Sequence, residues 1–88
     1  MKQLRYSSKA KKDLKRYRND PQKMRKLYDV LSLLIRGKVL PMIYRPHPLT
    51  GEFRGCMECH VESDFLLIWV DDDYIEVVRI GSHSELFR

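Results

Sequence analysis

The spacing of apolar positions changes twice along the chain and divides it into elements. Residues 2 to 6 alternate, with Leu4 and Tyr6 on one parity, the period of a short strand. Ser7 and Ser8 end it, and either hydroxyl is placed to accept from an orphan N–H at the start of a helix. Ala10, Leu14 and Tyr17 then recur at helical spacing. Lys9, Lys11, Lys12, Lys15, Arg16 and Arg18 fill the rest of that helix and give it a basic face. Asn19-Asp20-Pro21 breaks the helix and starts another, with Asp20 as N-cap and Pro21 at the first helical position, where its missing N–H costs nothing. Met24, Leu27, Tyr28, Leu31, Leu34 and Ile35 form the apolar stripe of this second helix, and Gly37 supplies a left-handed stop.

From residue 38 to 51 the chain carries Pro41, Pro46, Pro48 and Gly51, which excludes both a helix and a central strand and leaves a long surface loop. Residues 53 to 61, 65 to 70 and 74 to 80 are rich in aromatic and β-branched side chains. Glu62-Ser63-Asp64 and Asp71-Asp72-Asp73 join them tightly, which predicts an antiparallel meander. The predicted order is β-α-α-β-β-β. It is an α+β fold with a small curved, mainly antiparallel sheet, two N-terminal helices packed on one face, and the other face free to serve as a site.

Length bounds this to one domain, residues 1–88, large enough for a single core. With 43% apolar and 33% charged residues the chain is neither disordered nor fibrous. The longest apolar run, six residues, is far below the ~20 needed to span a bilayer. No apolar segment follows the basic N-terminus, so neither membrane nor secretory signal is expected, and a cytoplasmic location is. Charge is unevenly shared. Residues 1 to 38 hold 13 Lys or Arg against three Asp, and residues 39 to 88 hold four Arg against nine acids, within a total of +5. A positive field this concentrated suits a polyanion such as nucleic acid, although basic helical faces are as often plain solvated surface.

Cys56-Met57-Glu58-Cys59-His60 has the spacing of a haem c attachment site. It lies in a strand-like run, where residues 56 and 59 point to opposite faces, so the expectation is two reduced thiols with neither haem nor zinc. His47, His60 and His83 are the only histidines, and all fall in the acidic half among Arg45, Arg54, Asp64 and Arg79. Three such residues permit a metal site. Phosphodiester chemistry explains more of the set, because it needs a base, an acid and cations together.

Three stretches carry a family resemblance. His47-Pro48-Leu49-Thr50-Gly51-Glu52-Phe53-Arg54-Gly55, His60-Val61-Glu62-Ser63-Asp64-Phe65-Leu66-Leu67-Ile68-Trp69 and Arg79-Ile80-Gly81-Ser82-His83-Ser84-Glu85-Leu86-Phe87 resemble the signatures of YafQ toxins, within the RelE/ParE superfamily of type II toxin-antitoxin systems. The resemblance implies ribosome-dependent cleavage of mRNA in the A site and a DinJ-like antitoxin as partner. Operator DNA would be met only through the antitoxin complex. It assigns functional roles to His47, His60, His83, Asp64, Arg79 and Phe87. Phe65 stands where the family often has Trp, and Arg88 adds a terminal cation.

A metal-independent ribonuclease has the 2′-OH attack its own phosphate, which needs one group to take that proton and another to protonate the leaving 5′-oxygen. Histidine titrates at roughly 6.5 and aspartate at roughly 3.9, so His83 is expected as general acid and Asp64 as general base, with His60 its rival. His47, His60 and Arg79 would bind the phosphate, Phe87 and Phe65 would stack a base, and Lys11, Lys12, Lys15 and Arg16 would dock on rRNA. No cofactor or metal is expected. A ParE-like gyrase inhibitor or a non-enzymatic nucleic-acid-binding module are the alternatives, and neither needs the His/Asp set.

Overall fold

The computed structural model describes residues 1–87, so Arg88 lies outside the described residues. Strand β1 (Gln3–Tyr6) leads into helices α1 (Ser8–Tyr17) and α2 (Pro21–Ile35). A 3-10 turn at Met42–Tyr44, strand β2 (His47–Pro48) and a second turn at Gly51–Phe53 follow. Strands β3 (Met57–Glu62), β4 (Phe65–Asp71) and β5 (Tyr74–Gly81) then form the meander, and a short helix α3 (His83–Leu86) closes the chain. The sheet order is β1-β5-β4-β3-β2, with β1 parallel to β5 and all other pairings antiparallel.

The expected β-α-α-β-β-β order is present, with β2 and α3 added to it. Pro48 is tolerated in β2 because that strand is the sheet's edge, where a missing N–H breaks no ladder. The strand expected over residues 53 to 61 begins only at Met57. Gly51 and Gly55 adopt φ of +68° and +93°, and the chain between them turns before it can extend. Ser7, not Ser8, caps α1: its Oγ accepts from the Ala10 N–H at 3.0 Å and donates to the Val78 carbonyl at 2.7 Å, pinning the helix start to β5. Asp20 caps α2 through the Lys23 N–H at 3.2 Å.

Helices α1 and α2 cover one face of the sheet, where Ala10, Leu27, Val30, Leu31 and Leu34 meet Cys59, Phe65, Leu67, Trp69, Ile75 and Val77. Tyr28, expected in this stripe, is 53% exposed, because the buried arc runs through Leu27, Val30, Leu31 and Leu34 and leaves its direction in solvent. Phe65 is a second correction. It is fully buried, packs 4.8 Å from the Tyr17 ring, and cannot stack on a nucleic-acid base. The opposite face is not free either. Leu66, Ile68 and Leu86 form a smaller cluster there with Leu49, Phe53, Cys56 and Val78.

Helix α3 is too short to hold itself, and a polar seam with α1 fixes it. Ser82 and Glu85 form a capping box, the Ser82 N–H donating to Glu85 Oε1 at 2.8 Å and the Glu85 N–H to Ser82 Oγ at 3.3 Å. The Tyr17 hydroxyl donates to the same Oε1, and Arg16 lies 3.4 Å from Glu85 Oε2. Burial pushes the Glu85 carboxyl up, but the hydrogen bonds from Tyr17 and Ser82 outweigh it and hold the group below its ordinary value. Tyr17 is pushed up to about 12, by burial first and then by the bond to Glu85. Next to this seam the buried Asp13 accepts from Arg79 Nε at 2.8 Å, Arg79 Nη2 at 3.2 Å and the Ile80 N–H at 3.0 Å. A Cβ on Gly81 would stand 2.8 Å from Glu85 Oε1, so a side chain there would push that carboxylate away from its place in the capped turn.

Phe65→Ala is expected to lower stability by about 3–5 kcal/mol, a large part of the roughly 4–13 kcal/mol available to a chain of this length, as read from urea unfolding. A loss under 1 kcal/mol would contradict its place in the core. The seam carries a pH signature. Glu85, with its folded value depressed, stabilises the fold above the ordinary carboxylate value of 4.5 and loses that contribution as pH falls through the folded value. Tyr17, raised, contributes below its ordinary 10.0 and fades as pH climbs to about 12. The stability gap between parent and Glu85→Gln, open at pH 7, is therefore expected to close as pH drops below 4.5. A gap independent of pH would count against the seam.

Candidate active site

The histidines gather on the face of the sheet that α1 and α2 leave uncovered. His47 reaches it from the edge strand, where it pairs in register with Glu58. Its Nδ1 lies 2.8 Å from the Arg45 carbonyl, which only accepts, so Nδ1 carries a hydrogen. Its Nε2 lies 3.0 Å from Glu58 Oε1, which sets ring and carboxyl side by side. Glu58 is buried on this face, and its Oε2 has no hydrogen-bond partner. A carboxylate oxygen out of water and unpaired is held in a costly state, the kind that persists where it serves a site.

His60 stands beside this pair, its ring centroid 6.4 Å from that of His47. Its Nδ1 faces the Ser63 carbonyl at 3.4 Å, a long contact that leaves the Nε2 lone pair outward. Across the sheet His60, Leu66 and Gly81 are register neighbours, so Gly81 lies two strand spacings, roughly 10 Å, from His60. His83 follows as the first residue of α3, exposed to solvent. Its backbone N–H donates to Asp64 Oδ1 at 2.8 Å, so the β3–β4 hairpin holds the start of α3 in place. The His83 ring lies 5.0 Å from that of Phe87, which is 37% exposed and meets Phe53 edge-on at 5.7 Å.

The structure thus brings His47, His60, Asp64, His83 and Phe87 to one side of the sheet. Arg79 is nearby but partly engaged. Two of its nitrogens form the fork on Asp13, which raises its pKa further, while its stem lines a cleft of about 410 Å³ with Phe53 and Lys9. Lys11, Lys12 and Lys15 are exposed and make no ion pair among the described residues. Arg16, expected beside them as a docking cation, is drawn instead between Asp13 and Glu85, at 3.4 Å from each, because the α1–α3 seam lies beneath it. Cys59 belongs to the helix-side core, where burial pushes its thiol up to about 12, and Cys56 to the opposite cluster.

Glu58 escaped the sequence reading. It shares strand parity with His60, and that spacing was the available signal, since two such residues project from one face. What hid it was the lack of any sign in the chain that β2 would lie opposite. Among the described residues no three His, Cys, Asp or Glu side chains converge on a point where a metal ion would sit. The site therefore offers a lone-pair nitrogen on His60, a close imidazole–carboxyl pair at His47 and Glu58, and a solvent-facing imidazole at His83.

Known proteins place this arrangement in a family. The sequence profile described as a bacterial toxin of type II toxin-antitoxin systems, YafQ, matches residues 2–88. The mRNA interferase toxin YafQ of Escherichia coli K12 is 36% identical over 86 residues, covering 96% of this chain and 94% of that protein. Among solved structures, the toxin in the E. coli DinJ-YafQ toxin-antitoxin complex superposes with a TM-score of 0.87 at 35% identity, over 99% of this chain and 98% of that one. A metal-bound toxin from Helicobacter pylori superposes at 0.89 with 36% identity, over 99% of this chain and 100% of that one. No helix among the described residues is long and apolar enough to cross a membrane. Matched along nearly its whole length both in sequence and in structure, the chain belongs to the YafQ family of type II toxins.

Proposed function

We propose that the protein is an mRNA interferase, an endoribonuclease that cuts mRNA in the ribosomal A site by metal-independent acid–base catalysis. The observation that carries this reading is the convergence of three imidazoles on one exposed face, each held by a different element. His60 Nε2 takes the proton of the 2′-OH, whose oxygen attacks the adjacent phosphorus. His83 gives its proton to the 5′-oxygen as the P–O5′ bond breaks, leaving a 2′,3′-cyclic phosphate and a free 5′-hydroxyl. His47, set against Glu58, faces the charge that grows on the phosphate oxygens, and the remaining Arg79 donors add to it.

Asp64 receives a different part from the one its acidity suggests. One of its oxygens is engaged by the His83 N–H, so it acts as a positioning residue for the acid, and His60 is left as the base. Phe87, half-exposed beside His83, stacks a base, while Phe65 supports the fold beneath. The ribosome supplies what this open face lacks, the alignment of mRNA for in-line attack. Exposed Lys11, Lys12 and Lys15 dock on rRNA. A DinJ-like antitoxin is the neutralising partner, supported by the relative that forms such a complex.

His83→Gln is expected to slow cleavage of mRNA on programmed ribosomes by about 10²- to 10⁴-fold, the scale of general acid catalysis, with antitoxin binding retained. Cleavage near the parent rate would remove the acid assignment. Free toxin passed over a chelating resin and assayed in a fixed Mg²⁺ ribosome buffer is expected to keep its rate. Loss of activity restored by added zinc or copper would transfer the chemistry to a metal. Neutralising Lys11, Lys12 and Lys15 together is expected to lower the salt slope of ribosome binding by roughly 0.7–0.9 for each phosphate no longer neutralised, with the maximal rate close to the parent's. Unchanged binding at every salt concentration would make these lysines solvated surface only.

A further inference from the structure

A second cleft opens beside the histidines, at the β3 edge away from Phe87. It is about 460 Å³ and lies between α2, the Met42–Tyr44 turn and the end of β3, with His60 on its rim. That size is within the roughly 300–1,000 Å³ of small-ligand sites. Its walls combine three properties. Ile43 is 81% exposed and presents an apolar surface, Tyr44 presents a half-buried ring, and Arg45 supplies a guanidinium that makes no ion pair among the described residues. The one carboxylate in the lining, Glu62, is neutralised: Lys23 and Lys26 hydrogen-bond to it and hold it below the ordinary carboxylate range. An anion entering the cleft meets a free cation and no free acid.

Arg45 joins this cleft to the catalytic face. It is the only non-glycine residue with positive φ among the described residues, at +50°, a conformation that costs of order 1 kcal/mol or more unless its surroundings require it. Here they do. The left-handed turn lets the Arg45 N–H close onto the Met42 carbonyl at 2.9 Å and aims the Arg45 carbonyl at His47 Nδ1, 2.8 Å away. One residue therefore orients His47 with its backbone and leaves its side chain at the cleft.

We propose that this cleft is the subsite for a nucleotide next to the scissile phosphate, on the side opposite Phe87. Tyr44 and Ile43 take its base and Arg45 its phosphate. The inference rests on the ribonuclease reading and extends it. His60 lies between the cleft and the Phe87 end, so a phosphate at His60 has an aromatic surface on either side, matching the splayed bases on which single-stranded RNA is read. Base identity at the cleft end then sets part of the cleavage preference.

Two measurements test it separately. The first is amide NMR on the full-length His83→Gln protein titrated with nucleoside 3′,5′-bisphosphates. Saturable shifts at Ile43, Tyr44, Arg45 and His60 are expected, weakened roughly fourfold, the scale of one buried methylene lost, in a protein also carrying Ile43→Gln. Shifts that inorganic phosphate alone reproduces, that fall elsewhere, or that only an acidic peptide produces would overturn the subsite. The second is cleavage by parent, Ile43→Gln and Arg45→Gly proteins on ribosomes programmed with each of the four bases at the flanking position. Glycine suits the positive φ, so Arg45→Gly removes the guanidinium without disturbing the turn. The parent is expected to discriminate among the bases and both variants to lose that discrimination; equal spreads in all three proteins would overturn the subsite. A parent that cuts no mRNA would overturn the ribonuclease reading, and the nucleotide titration would still decide the cleft.

Discussion

Strand β4 is buried on both sides from Phe65 through Trp69, and the rest of the molecule answers that constraint. A strand with no solvated face needs cover above and below. Helices α1 and α2 cover Phe65, Leu67 and Trp69 with a broad apolar surface. Leu66 and Ile68 face the other way and have only α3 and the turn around Phe53 to cover them. Those thin covering pieces carry His83, Phe87 and Phe53. The same burial that completes the core thus sets His83 and Phe87 down on the side of the sheet where His60 projects from β3.

A thin cover needs more than apolar contact to stay in place. Only Leu86 of α3 is buried, so the helix depends on the bonds of Glu85 to Tyr17, Arg16 and Ser82 and on the hold of Asp64 on the His83 N–H. The buried Asp13, satisfied by Arg79 and the Ile80 N–H, fixes the adjoining end of β5 to α1. Charged groups here are buried with partners, where breaking one partner leaves an uncompensated charge. Half-buried Arg79 and half-exposed Arg16 are therefore structural as well as electrostatic, and the basic character of α1 divides between seam and solvent.

Glu58 is the exception to that rule. It has one partner, His47 Nε2, and one orphan oxygen. A polar group left this way works against folding. Its neighbours are the two imidazoles of the candidate site, and Arg45 beside them holds the single left-handed non-glycine conformation among the described residues. Strain and an unpaired carboxyl oxygen coincide at one corner of the sheet, as they do where a protein keeps groups ready for a ligand.

By itself the sequence determined whatever depends on near neighbours in the chain. The Asp20-Pro21 helix start, the stop at Gly37, the tight β3–β4 and β4–β5 connections and the α+β order are local signals, and each appears in the structure. The motifs around His47, His60 and His83 were legible in the same way, as was the placement of Cys56 and Cys59 on opposite faces. Tertiary structure alone decided what those residues touch. Strand periodicity marks Phe65 as apolar and cannot say whether its parity faces a helix or a base; packing put it under Tyr17. Composition marks Arg16 as a cation and cannot say that Asp13 and Glu85 lie within reach. Nor could it pair Glu58 with His47, eleven positions earlier, because that contact exists only once β2 has docked on β3. Local sequence restricts backbone conformation through sterics and nearby hydrogen bonds, whereas the partner of a side chain depends on which distant surfaces the core brings together.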